Sequence, residues 1–195
     1  MFGQRHTRPE RFTGGAGMQV ARRAGIRLRA VTLVLALSFP ASALAQDDTP
    51  ADDALVVYGQ ADFDWTIRPL DGEAMELEAY RGRVLFVNLW ASWCTPCIRE
   101  METIERLRER VADTDVEFLI VAAEGERPVR RHLRRYSYNL PIYLEVDRIP
   151  PAFGLRGLPT SWLVDREGRI VLLRHGEAAW DTDEVVAFVR EIAAR

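Results

Sequence analysis

The chain has 195 residues, 48% of them apolar, enough for one ordinary domain with a real core plus extra segments. Its formal charge of −3 conceals a split: residues 1–45 carry seven arginines against one acid, net +6, and residues 46–195 carry 19 arginines against 28 acids, net −9. The acidic remainder argues against a nucleic-acid partner, which needs clustered positive charge. All 26 basic residues are arginine, so Schiff-base chemistry through a side-chain amine is excluded.

The basic N-terminus reads as an address. Arg22, Arg23, Arg27 and Arg29 precede an apolar run from Ala30 to Phe39, Pro40 breaks it, and Ala43-Leu44-Ala45 supplies small residues for a signal peptidase. This is the pattern of a secretory signal, with cleavage expected after Ala45 and a possible true start at Met18. An uncleaved anchor is the alternative, but the run is short of the roughly 20 residues that span a bilayer. Residues 46–57 read as an acidic linker, and residues 58–195 as one domain. A periplasmic or otherwise exported location is expected.

Within that domain, residues 63–80 alternate around Asp71-Gly72, a hairpin cue. Arg83 to Trp90 is a nearly unbroken apolar run, suited to a strand buried on both faces, as in a sheet with helices on either side. After Pro96, Ile98, Met101, Ile104, Leu107 and Val111 recur at helical spacing, predicting about four turns of amphipathic helix. Val116–Glu124 predicts a second buried strand, and Pro128 is expected to open a basic helical segment. A weaker strand at "LPIYLEVD" and a short turn at "PPAFGL" follow. "PTSWLVD" and "RIVLLRHGE", joined by Glu167-Gly168, predict an antiparallel hairpin. Asp181 or Thr182 caps a closing helix. The pattern is an α/β sandwich with a mixed sheet.

Both cysteines of the chain, Cys94 and Cys97, fall where the apolar strand feeds the amphipathic helix. Free N–H groups and the helix dipole there favour a thiolate, and the spacing lets Cys97 reach Cys94 within one turn. Pro96 suits a first turn, where its missing N–H costs little. Trp93 is placed to shield one side of the pair, and Trp90 to join the core. Structural zinc needs four ligands; His132 and His175 show no ligand spacing to the pair and read as surface residues, so no metal site is assigned. A two-coordinate Cu(I) site on the two thiolates remains open as an alternative. A static staple closing so small a loop removes little chain entropy. Redox exchange is the favoured chemistry, with no cofactor beyond the Cys94–Cys97 disulfide.

"VNLWASWCTPCIRE", followed by "GLRGLPTSWLVDREGRIV", resembles the TlpA/ResA-type thioredoxin-like proteins, AhpC/TSA-related exported thiol–disulfide oxidoreductases of bacteria, over roughly residues 61–194. The resemblance implies a thioredoxin-like fold, a central mixed sheet flanked by helices, with a central insertion over residues 124–156. It makes Cys94 the attacking and Cys97 the resolving cysteine, and Pro159 the cis-proline beside the disulfide. Leu158 would offer its backbone to a substrate strand, with Thr160, Trp93 and Pro96 completing the substrate side. Glu100 matches an acid near the active site, although as one of four glutamates between 100 and 109 it also reads as a solvated helix acid. Asn88 replaces a buried aspartate of thioredoxins and reads as an amide satisfied by backbone. Glu102 stands where the family has a helix-kinking proline, and Ala61-Asp62-Phe63 lacks the usual proline.

The implied activity is reduction of disulfides in exported proteins, with apocytochrome c or copper-centre assembly proteins as candidate substrates. The implied electron donor is a membrane thiol protein of the DsbD/CcdA kind, and a monomer is expected. Handling of Cu(I) by the same thiols is the alternative.

Overall fold

The computed structural model describes residues 55–195. The expectations for the leader at 1–45 and for most of the acidic linker lie outside the described residues. Among those described, no helix is long and apolar enough to cross a membrane.

The apolar run folds as the central strand. Eight strands form one sheet: β1 (Gly59–Gln60), β2 (Thr66–Pro69), β3 (Met75–Glu76), β4 (Leu85–Trp90), β5 (Glu117–Ala122), β6 (Ile142–Glu145), β7 (Thr160–Val164) and β8 (Arg169–His175). Their order is β1-β8-β7-β4-β5-β6-β2-β3. β4, β5 and β6 run parallel, and the remaining neighbours are antiparallel. The parallel pairs need crossovers, supplied by α1 (Thr95–Arg110) and α2 (Glu126–Leu133). The Asp71-Gly72 cue lies in the turn of the β2–β3 hairpin, and β7 and β8 form the second predicted hairpin. Gly168 closes the latter at φ +79°, where an added Cβ would meet the Gln60 amide at 2.6 Å. No other residue type fits that turn without a shift. α3 (Asp183–Ala194) is capped by Thr182, whose hydroxyl accepts from the Val185 N–H.

β4 is buried along its whole length, as its composition requires. Its two faces are covered differently, however. Phe86 and Trp90 share one cluster with Met101, Ile104 and Leu107 of α1, Val129 of α2, and Val186, Val189 and Ile192 of α3. Leu85, Val87 and Leu89 pack against Phe63, Trp65, Leu77 and Phe153. The second cover is therefore extended chain and short 3-10 turns at Leu77–Tyr80 and Pro151–Phe153, not α-helix. α2 begins two residues before Pro128, which sits in its first turn, where the ring replaces an N–H that has no helical partner anyway.

Candidate active site

β4 delivers the chain to Ala91-Ser92-Trp93 at its C-terminal end, and Cys94 is the N-cap of α1. The Cys94 N–H donates to the Ala91 carbonyl at 3.0 Å, and the Cys97 N–H donates to Cys94 Sγ at 3.3 Å. That second bond is the orphan donor of the helix start aimed at the sulfur, where it favours a thiolate once the pair is reduced. Cys94 and Cys97 are joined by a disulfide, with Cα atoms 5.3 Å apart. Cys94 keeps 5% of its surface in contact with solvent and Cys97 none, while Trp93 is 69% exposed. Pro96 lies in the first turn.

Register brings the second motif to the same end of the sheet. Leu89 of β4 faces Thr160 of β7, which places the cis Leu158–Pro159 bond beside the end of β4. The Gly176 N–H donates to the Pro159 carbonyl at 2.9 Å, fixing the loop from β8. Thr160 Oγ1 donates to the Gly157 carbonyl at 2.6 Å. Its single proton is thereby committed, so the contact to His175 Nδ1 at 3.2 Å requires that nitrogen to carry the hydrogen. Among the described residues, the N–H and C=O of Leu158 make no hydrogen bond.

Glu100 lies three residues after Cys97, on the same side of α1. It is 1% exposed, so the solvated-acid reading is set aside. Its Oε1 accepts from Asn88 Nδ2 at 2.8 Å, and its Oε2 accepts from the Ala178 N–H and Trp180 Nε1, each at 3.1 Å. Burial raises its pKa above the ordinary 4.5, opposed by the bonds from Trp180, Asn88 and Ala178, and reinforced by the nearby Glu177 charge. Glu177 itself is held in a fork by Arg99 at 2.9 and 3.0 Å.

The structure corrects two expectations. Asn88 is not satisfied by backbone: its Nδ2 serves Glu100 and, at 2.9 Å, Ser161 Oγ, while its Oδ1 has no partner among the described residues. His132 is not at the surface; it is buried between Trp90 and the rings of Tyr136 and Tyr138, with its Nε2 3.0 Å from the Tyr138 hydroxyl. His175 is half-buried on Thr160. Trp180, Ala178 and Ser161, the partners that complete the Glu100 network, were not singled out in the sequence. Only their remote positions after β8 and on β7 distinguish them, and no local pattern reports that. Among the described residues no cluster of three or more His, Cys, Asp or Glu could hold a metal ion.

A raised carboxyl pKa has a defined effect on stability. The folded state holds the Glu100 proton more tightly than the unfolded chain, so the contribution is full below about 4.5 and is lost as pH rises through the folded value. Urea unfolding of the parent and of Glu100→Gln from pH 4 to 8 is expected to show the parent losing ground to the variant as pH rises. Parallel curves would remove the buried proton.

The comparisons with known proteins agree with this geometry. The profile of the Redoxin family matches residues 58–187. The thiol-disulfide oxidoreductase ResA of Halalkalibacterium halodurans is 34% identical over 128 residues, 65% of this chain and 73% of that one. ResA of Geobacillus thermodenitrificans is 32% identical over 117 residues, covering 59% and 67%. Among solved structures, a putative thiol-disulfide oxidoreductase from Bacteroides vulgatus superposes with a TM-score of 0.61 at 25% identity, covering 72% of this chain and 99% of that one. A putative DsbE from Chlorobium tepidum gives 0.61 at 19% identity, covering 71% and 99%, and shows the fold alone. With its Cys94–Cys97 pair at the start of α1, the chain belongs to the Redoxin family, as a ResA/TlpA-type thioredoxin-like thiol–disulfide oxidoreductase.

Proposed function

We propose that the protein is a monomeric reductant of disulfides in proteins outside the cytoplasm, with apocytochrome c or copper-centre assembly proteins as substrates. The observation that carries the reading is the asymmetry of the pair: Cys94 is the more accessible sulfur, beside exposed Trp93, and Cys97 is sealed behind it. In the reduced protein the Cys94 thiolate attacks a substrate disulfide and releases one substrate thiolate. The Cys97 thiolate then attacks the mixed disulfide at Cys94, releases the second, and leaves the Cys94–Cys97 disulfide. Two electrons and two protons from a membrane thiol donor of the DsbD/CcdA kind restore the dithiol.

Leu158, with its unbonded backbone groups, and the Pro159–Thr160 segment receive the substrate chain as a short added strand. Trp93 and Pro96 border it. Glu100 acts behind the pair as a proton acceptor and donor for the buried Cys97 thiol. The signal-like leader supports export.

Equilibration of the pair against glutathione or dithiothreitol buffers tests the direction. A potential near that of thioredoxin, about −270 mV or lower, is expected, whereas a value near −120 mV would make the protein an oxidant. With no reversible exchange at all, binding of Cu(I) by the reduced pair becomes the reading to measure.

A further inference from the structure

α2 concentrates positive charge beside the redox pair. On the other helices most arginines meet acids of other elements, Arg106 on Asp181, Arg110 on Asp183 and Arg190 on Asp113, while Arg108 donates to the Asn139 carbonyl. On α2 and the turn after it, Arg130 alone is so engaged, with Glu126 and Asp71. Arg127, Arg131, Arg134 and Arg135 form no ion pair among the described residues, although the domain as a whole is acidic. Nearby acids do not neutralise them. Glu126 is shared by Arg130 and Arg68, and the Glu124 carboxylate accepts the Ser92 N–H just before the pair.

The charge borders a cavity. Arg131, Arg135, His132 and Tyr136 line a depression of about 290 Å³ whose far wall is Ser92 and Ile98, the residues that bracket Trp93–Cys97 in sequence. Tyr136 is 50% exposed, and its ring is stacked on His132 at 4.6 Å, which in turn meets Trp90 of the core. The aromatic wall is therefore backed by β4, and the two guanidinium groups are free to choose a partner.

We infer that this groove docks an acidic, extended segment of the protein whose disulfide is exchanged, holding it alongside Cys94. The inference rests on the reductant reading above. Complementary charge at an exposed rim acts mainly on encounter rate and on choice of partner. An aspartate or glutamate run flanking the substrate cysteine meets Arg131 and Arg135 while the peptide stem lies on Tyr136.

The test compares two peptides that differ only in one flank, Asp-Glu-Asp-Glu or Ser-Gln-Ser-Gln, each carrying one cysteine in mixed disulfide with glutathione. The reduced full chain is expected to reduce the acidic peptide about fivefold faster at low salt, from two exposed ion pairs. The advantage should vanish in the Arg131→Glu, Arg135→Glu double variant, with the neutral peptide reduced at the parent rate. Equal rates for the two peptides in the parent, or an advantage that survives charge reversal, would overturn the docking surface. Equal peptide rates, with arginine-dependent binding to phosphatidylglycerol vesicles, would assign the patch to a membrane instead. Both peptides left untouched by the reduced parent protein would sink the reductant reading, and the docking surface with it.

Discussion

Replacing Cys97 by serine is expected to yield a protein that captures its substrate and cannot release it. Cys94 keeps its place at the start of α1, where the backbone N–H of residue 97 still points at its sulfur. The thiolate therefore still forms, attacks and enters a mixed disulfide, but no second thiol lies within a turn to resolve it. Turnover should fall by roughly three orders of magnitude or more, the scale of losing a member of a reacting group. A covalent adduct, reversed by dithiothreitol, should accumulate on non-reducing gels. Cys94→Ser should lose turnover to the same degree without accumulating the adduct, because the remaining sulfur is fully buried. Equal trapping by both variants would abolish the assigned division of labour between the two sulfurs.

Trp180 is the second site of large expected effect. Its indole is buried, stands edge-on to Phe86 at 5.0 Å between ring centroids, and donates to the Glu100 carboxylate. Trp180→Ala should cost about 3–5 kcal/mol in urea or thermal unfolding, from lost burial and the cavity left behind. Trp180→Phe retains most of the ring but not the N–H. It should cost about 1–3 kcal/mol, the range for a buried polar group losing a partner. Because the indole N–H opposes the upward shift of Glu100, Trp180→Phe should also move that group's titration to still higher pH. A Phe variant as stable as the parent, with an unmoved titration, would show that the indole acts only as packing.

The elements that could be read from the sequence are those whose evidence is local. The spacing of Met101, Ile104 and Leu107 marks α1 because one face of that helix meets the sheet. The Asp71-Gly72 and Glu167-Gly168 turns mark their hairpins for the same reason. Cys94, Cys97 and Pro159 carry motifs of their own. Asn88 does not: an amide in an apolar strand says nothing about what it faces. Its partners lie 12 and 73 residues away, one of them Ser161, directly opposite it in the β4–β7 register. His132 was hidden by Arg131, Arg134 and Arg135 around it. It stands three residues after Val129, though, and that helical spacing places both on the buried face of α2. The cover on the second face of β4 was illegible because it is built of extended chain and single 3-10 turns, which have no period to detect.

The bonds from Trp180 and Ala178 to Glu100 span 80 and 78 residues of sequence. A chain made from its N-terminus forward exposes both thiols, and can join them, long before the carboxylate behind them has acquired two of its three donors. Only the arrival of the last segment, shortly before α3, completes the set of donors to Glu100, so a chain stopped short of Ala178 would carry the Cys94–Cys97 pair with that buried carboxyl held by Asn88 alone.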